Sequence, residues 1–193
     1  MRSLCVFCGS SPGVRPEYAA AARQLGASLA HRGVRLVYGG AGLGLMGELA
    51  NAALRAGGAV TGVIPEALLG REVAHTDLAD LRIVPSMHER KALMADLADG
   101  FLAIPGGAGT LEEFFEVWTW AQLGIHRKPC GLLNVHGYFD GLLTFLDHAV
   151  AERFLRVEHR VMVLVDNDVD RLLERFAGYR GPTVSKWIDR TET

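Results

Sequence analysis

Lysine, cysteine and long apolar runs are what this 193-residue sequence has least of. Lysine occurs at positions 91, 128 and 186 alone, so any chemistry that needs a lysine amine has few places to reside. Cysteine occurs at Cys5, Cys8 and Cys130, an odd number at spacings that exclude both a disulfide framework and a four-ligand zinc site. Cys5-Val6-Phe7-Cys8 has the CxxC form, but its apolar filling and the lack of a second pair read as buried strand residues. No apolar run approaches twenty residues and no basic-then-apolar leader opens the chain, so no membrane contact and a reducing, cytoplasmic location are expected. Neither sign of charge dominates: 20 Lys and Arg against 22 Asp and Glu give a net charge of -2. That balance excludes bulk attraction to nucleic acid, and any preference for an anion must come from local groups.

What the sequence has is alternation. With 49% hydrophobic residues it fits one domain, expected over 1–180, followed by a polar tail at 181–193 that is expected to fray. Apolar runs at 3–8, 34–38, 60–64, 81–84, 101–104, 131–135 and 161–165 predict strands, and segments with helical spacing follow most of them, at 16–32, to about 56, 86–98, 110–124, 138–154 and 168–176. Ser86-Met87-His88-Glu89 has the Ser-x-x-Glu form of a capping box at one helix start. Short strands alternating with helices imply right-handed crossovers and a parallel sheet covered on both faces. The expected fold is therefore an α/β, Rossmann-like three-layer sandwich with a central parallel sheet of about seven strands. The connection at 65–80, carrying Glu72, His75 and Asp77, is the candidate lid or rim. In such sheets ligands sit beyond the carboxyl ends of the strands, and the glycine-rich turns here all follow strands.

The stretch from Ile104 to Glu113, Ile-Pro-Gly-Gly-Ala-Gly-Thr-Leu-Glu-Glu, ends one apolar run and opens a helical one. Its three glycines let backbone N–H groups point inward, and the helix start adds its positive end, which together make a phosphate site. No Gly-Lys-Ser/Thr follows, so it is not a Walker loop and nucleoside triphosphate hydrolysis is disfavoured. Thr110-Leu111-Glu112-Glu113 also has the form of a capping box worth about 1 kcal/mol, and sequence alone leaves both readings open. A carboxylate repels a neighbouring anion, so an acid in this pocket suits a ribose hydroxyl or an attacking water. Side chains at 112 and 113 point about 100° apart on a helix, and Glu113 is the one expected to face the pocket.

Arg90 and Lys91 lie in the early turns of the helix that follows Ser86, where cations oppose the macrodipole at about 0.3–1 kcal/mol each. The placement points to anion binding; the alternative is a pair of solvated surface charges. His88, beside them, is a further candidate, whereas His75, His126 and His136 are expected to be rim, surface or structural. Trp118 and Trp120 are expected in the core or a subunit interface. Gly42, Gly44 and Gly47 spell GxGxxG, with Glu66 about twenty residues on, as in a dinucleotide fingerprint. Against that, the motif follows the second strand instead of the first, and Glu66 follows Pro65 in an expected loop. Close helix packing is the expected role of some of these glycines, with Gly39 and Gly40 facing ligand.

Taken together, Pro-Gly-Gly-x-Gly-Thr-x-x-Glu at 105–113, Met87-His88-Glu89-Arg90-Lys91, Gly39-Gly40 through Gly44-Leu45-Met46-Gly47, and Thr119-Trp120-Ala121-Gln122-Leu123-Gly124-Ile125-His126 resemble the Lonely Guy family of cytokinin riboside 5'-monophosphate phosphoribohydrolases, long labelled "possible lysine decarboxylases". The likeness spans about 3–176. It implies a homodimer that cleaves the N-glycosidic bond of nucleoside 5'-monophosphates, AMP or cytokinin riboside 5'-monophosphates, to free base and ribose 5-phosphate, without metal or cofactor. It assigns catalysis to Arg90 and Glu113, and phosphate and nucleotide contacts to Ser10, Gly40, Lys91, Gly107, Gly109 and Thr110, with Met87 against base or ribose. Glu72 matches a recurring family acid whose role stays open. Decarboxylation through pyridoxal needs a Schiff-base lysine, and Lys91, next to an arginine, better suits phosphate. The alternatives are a non-catalytic nucleotide-binding or carrier protein, for which an acid at Glu113 has no use, and a dinucleotide-dependent oxidoreductase.

Overall fold

Every residue of β1 (Ser3–Phe7) is buried, and the sheet builds outward from it on both sides. The computed structural model describes residues 1–69 and 74–181. After β1 come α1 (Pro16–His31), β2 (Arg35–Tyr38), α2 (Gly44–Arg55), β3 (Val60–Pro65), β4 (Leu81–Val84), α3 (Met87–Leu97), β5 (Phe101–Ala103), α4 (Ala108–Gln122), β6 (Cys130–Leu133), α5 (Asp140–Ala151), α6 (Val157–Arg160), β7 (Val163–Asp166) and α7 (Val169–Ala177). Short 3-10 turns occupy Glu66–Leu68 and Val135–Gly137. The seven strands run in the order β4-β3-β2-β1-β5-β6-β7, and every pairing is parallel. This is the expected α/β sandwich.

Alternation along β1 explains the layers. Leu4 and Val6 face a core built with Leu25 and Leu29 of α1, Leu49 of α2 and Leu172 of α7. Cys5 and Phe7 face the opposite core, with Met94 of α3, Phe114 and Trp118 of α4 and Leu146 of α5. Both faces of β1 are covered, which is why it is apolar from Leu4 to Phe7 instead of alternating with polar residues.

Strand order reverses between β1 and β5: the chain steps outward from β1 through β2, β3 and β4 on one side, then crosses to β5 on the other. The crevice of such a sheet opens at that reversal. The turns after β1 and β5 meet there, joined by the Gly9 N–H donating to the Pro105 carbonyl at 3.1 Å. The GxGxxG turn follows β2, one strand away, which removes the sheet position that a dinucleotide fingerprint requires.

β6 and β7 are shifted by one or two residues from the expected 131–135 and 161–165, and three helix boundaries differ for local reasons. The helix expected from Thr110 begins at Ala108, with Gly107 as its N-cap. The helix expected over 138–154 begins at Asp140, after a turn in which His136 and Gly137 take positive φ, and it stops at Ala151 before Arg153, at φ 63°. A separate short helix, α6, follows and was not expected. Glu72 and the tail beyond Gly181 lie outside the described residues.

Candidate active site

Helix α3 begins as its sequence requires: Ser86 Oγ accepts the Glu89 N–H at 3.2 Å. That cap aims the next turn of the helix back across the sheet edge. Arg90 Nε donates to the Val63 carbonyl within β3 (3.1 Å), and Nη1 donates to Glu113 Oε1 of α4 (2.5 Å). Both side chains are buried, 9% and 11% exposed. Room for the guanidinium comes from Gly39, where a Cβ would overlap Arg90 Nη2. Burial pushes the Glu113 carboxyl above its ordinary pKa, outweighing the pull of the adjoining Arg90 in the other direction.

The start of α4 lines the same cleft as this pair. Gly107 caps it without a side-chain bond, so Thr110 lies inside the first turn and is not the cap. The Thr-x-x-Glu capping reading therefore falls, because Glu113 turns to Arg90 instead of back to the helix start. Gly107 and Gly109 have open space where a Cβ would stand. The exposed N–H groups of this first turn carry the positive end of the helix dipole.

Between these walls lies a cleft of about 230 Å³. Seven of the nine residues expected at the site line it: Ser10, Met87, Arg90, Gly107, Gly109, Thr110 and Glu113. Gly40 does not. It takes φ 77° with Ile64 and Leu81 packed against it, and its carbonyl accepts the His75 N–H. Lys91 is not a wall residue either, since its Nζ sits between Glu112 (2.5 Å) and Glu116 (3.1 Å), tying α3 to α4. Sequence reasoning left out Cys8, Gly9, Met46, Leu68 and Glu112, which also line the cleft. Cys8 and Gly9 follow β1 at the reversal point, a signal available once the strand order is known; Leu68, in the 3-10 turn after β3, had none. Burial holds the Cys8 thiol protonated, so it is no nucleophile here.

The remaining candidates have structural partners. His75 Nδ1 meets the Tyr38 hydroxyl (3.0 Å), and His126 Nε2 bonds the Val117 carbonyl (2.9 Å). Trp118 is buried and donates to the His159 carbonyl, while Trp120 is partly covered beside the same core. His88 is exposed and does not line the cleft. The described lysines do not fit an imine-forming cofactor: Lys91 is clamped by two carboxylates, and Lys128 donates to the Ala95 carbonyl. Among the described residues no helix is long and apolar enough to cross a membrane, and no group of three or more His, Cys, Asp or Glu could hold a metal ion.

A family model described as "Possible lysine decarboxylase" matches residues 46–176. The chain is 54% identical to a probable cytokinin riboside 5'-monophosphate phosphoribohydrolase of Oryza sativa subsp. japonica, over 92% of this chain and 78% of that protein. It is 51% identical to the cytokinin riboside 5'-monophosphate phosphoribohydrolase of Rhodococcoides fascians, over 88% and 86%. Among solved structures, the molybdenum cofactor carrier protein of Chlamydomonas reinhardtii matches with a TM-score of 0.68 at 22% identity, over 92% of this chain and 98% of that one. The molybdenum cofactor binding protein of Rippkaea orientalis gives 0.69 at 20%, over 92% and 97%. At such identities these two share the fold alone. The chain belongs to the "possible lysine decarboxylase" family, in its Lonely Guy group of cytokinin riboside 5'-monophosphate phosphoribohydrolases.

Proposed function

We propose that this chain hydrolyses the N-glycosidic bond of nucleoside 5'-monophosphates, AMP or cytokinin riboside 5'-monophosphates, releasing the free base and ribose 5-phosphate. The observation that carries the reading is that the buried Arg90–Glu113 pair and the open first turn of α4 line one cleft. A phosphate binder gains nothing from a carboxylate in that position, and a glycoside-cleaving site needs one.

The N–H groups of the α4 first turn, with Ser10 and the Thr110 hydroxyl, hold the 5'-phosphate. This remote binding fixes the ribose so that C1' lies near Glu113. As the bond from C1' to the base nitrogen lengthens, positive charge develops on the ribose, and the Glu113 carboxylate stabilises it and orients the water that adds to C1'. The water's oxygen joins C1', one of its protons stays there as the hydroxyl, and the other balances the departing base. Arg90 holds Glu113 in place and draws a carboxyl that burial raises back toward its ionised form. Met87, Met46 and Leu68 give the base an apolar wall. Lys91 reaches the phosphate by exchanging Glu112 for it. The protein acts in the cytoplasm as a homodimer, the partly covered Leu93, Leu97, Phe115 and Trp120 beside the α3–α4 core forming the contact.

The test is incubation with AMP and with its isopentenyl derivative, reading free base and ribose 5-phosphate by chromatography. Equimolar release of both supports the reading. Nucleotide binding without base release from any nucleoside monophosphate replaces it with a carrier. Light scattering that gives a monomer mass would remove the dimer.

A further inference from the structure

Outside the cleft, on the other side of the Gly9–Ser10 and Gly106–Gly107 segments, lies a second cavity of about 310 Å³ walled by Pro12, Tyr18, Leu45, Gly106 and Tyr138. The Tyr138 hydroxyl donates to the Gly106 carbonyl at 2.6 Å. Tyr138 belongs to the segment between β6 and α5, so this bond reaches from a different element into the anion turn. Its own position is fixed: the Tyr138 N–H donates to the Val135 carbonyl (3.0 Å), and Asn134 Oδ1 accepts the Phe139 N–H (2.7 Å). The ring packs edge-on against Tyr18 at 5.6 Å and Phe139 at 5.0 Å.

The Gly106 carbonyl and the Gly107 N–H belong to one peptide group. Peptide bonds among the described residues are trans, and a trans peptide directs its C=O and N–H to opposite sides. A carbonyl held in the second cavity therefore turns the Gly107 N–H toward the cleft. Two adjacent glycines leave such a peptide free to rotate, since no Cβ opposes the alternative orientation. Gly106 is hemmed in by Gly9 and by the Thr110 hydroxyl, but Gly107 has open space around it.

We propose that Tyr138 is a positioning residue for phosphate recognition: its hydroxyl locks the Gly106–Gly107 peptide with its N–H aimed at the 5'-phosphate. Accepting that bond also polarises the peptide and makes its N–H a stronger donor. The inference rests on the hydrolase reading only for its kinetic test. Binding of inorganic phosphate examines it independently.

Tyr138→Phe keeps the ring contacts and removes the one bond. It raises KM for AMP and the inhibition constant for inorganic phosphate by the same three- to tenfold, the scale of one neutral hydrogen bond. It leaves kcat within about twofold and the inhibition constant for free adenine unchanged, a split that a general loosening of the fold does not produce. Tyr18→Phe, which keeps its edge-on contact, leaves all four constants as in the parent. Unchanged KM and phosphate inhibition in Tyr138→Phe overturn the inference, as does an equal rise in the adenine constant. Should the parent release no base from any monophosphate, the hydrolase reading fails, and phosphate affinity by calorimetry still decides: a three- to tenfold loss in Tyr138→Phe supports the lock, and equal affinity or no phosphate binding by either protein removes it.

Discussion

Two glycine-rich turns stand on the same sheet edge and use glycine for opposite reasons. In the turn after β2, glycines are filled against. A Cβ on Gly39 would overlap the Arg90 guanidinium, and one on Gly44 would overlap the Ser10 backbone carbonyl. In the turn after β5, Gly107 and Gly109 face open space. The first turn lacks side chains so that protein can approach it; the second shares that need at Gly106, against Gly9 and Thr110, but leaves Gly107 and Gly109 open for the proposed ligand. Equal composition therefore hides a scaffold and a binding surface. The topology separates them, since the β5 turn lies at the reversal of strand order and the β2 turn one strand away.

Substitutions can break this comparison, and Arg90→Ala gives the largest effect because Arg90 joins the two turns. It lowers kcat by roughly 100- to 10,000-fold in steady-state kinetics. It also destabilises the fold by about 3–5 kcal/mol in denaturant titration, since Glu113 is left buried without its partner. Gly44→Ala comes next. Its φ of 58° and the clash with Ser10 cost about 2–4 kcal/mol of stability in the same titration, through strain at the scaffold turn.

The pH profile sharpens the role of Glu113. The proposed reaction requires its ionised form, and burial raises its pKa, so activity is expected to fall as pH drops through a value above the ordinary glutamate pKa of about 4.3. A kcat/KM profile checks this; an acid limb at or below the ordinary value contradicts it. The smallest effect belongs to the binding turn. Gly109→Ala, in the first turn of α4 with free space around it, stabilises the protein by about 0.4–1 kcal/mol in thermal melts, the opposite sign to Gly44→Ala.

Much of this arrangement is legible in the sequence where local chemistry decides it. The seven strands follow from apolar runs, the α3 start from the Ser86 cap, and the place of Arg90 at the cleft from a cation set against the helix dipole. The expectation that Glu113 and not Glu112 faces the pocket holds in part: Glu113 lines the cleft and bonds the buried Arg90, but Glu112, about 100° round the helix, lines the cleft as well. What the sequence conceals depends on distant segments meeting. Gly40 and Gly39 are neighbours in one turn, yet one backs onto Ile64 and Leu81 while the other makes room for Arg90. Lys91 adjoins Arg90 but points to Glu112 and Glu116. The tether from Tyr138 to Gly106 crosses 32 positions and carries no local pattern. The Thr110 capping motif misleads because Gly107 starts the helix earlier, where its lack of a side chain serves the cleft.

The central claim is that the buried carboxylate performs chemistry while the open turn performs binding. It is tested most directly by Glu113→Gln, measuring AMP turnover and AMP affinity on the same preparation. The account predicts a loss in kcat of about 1,000-fold, within the range for a carboxylate acting on the reacting centre, with the dissociation constant for AMP within about threefold of the parent. Normal turnover in Glu113→Gln, or a loss that appears entirely as weaker AMP binding, would contradict it.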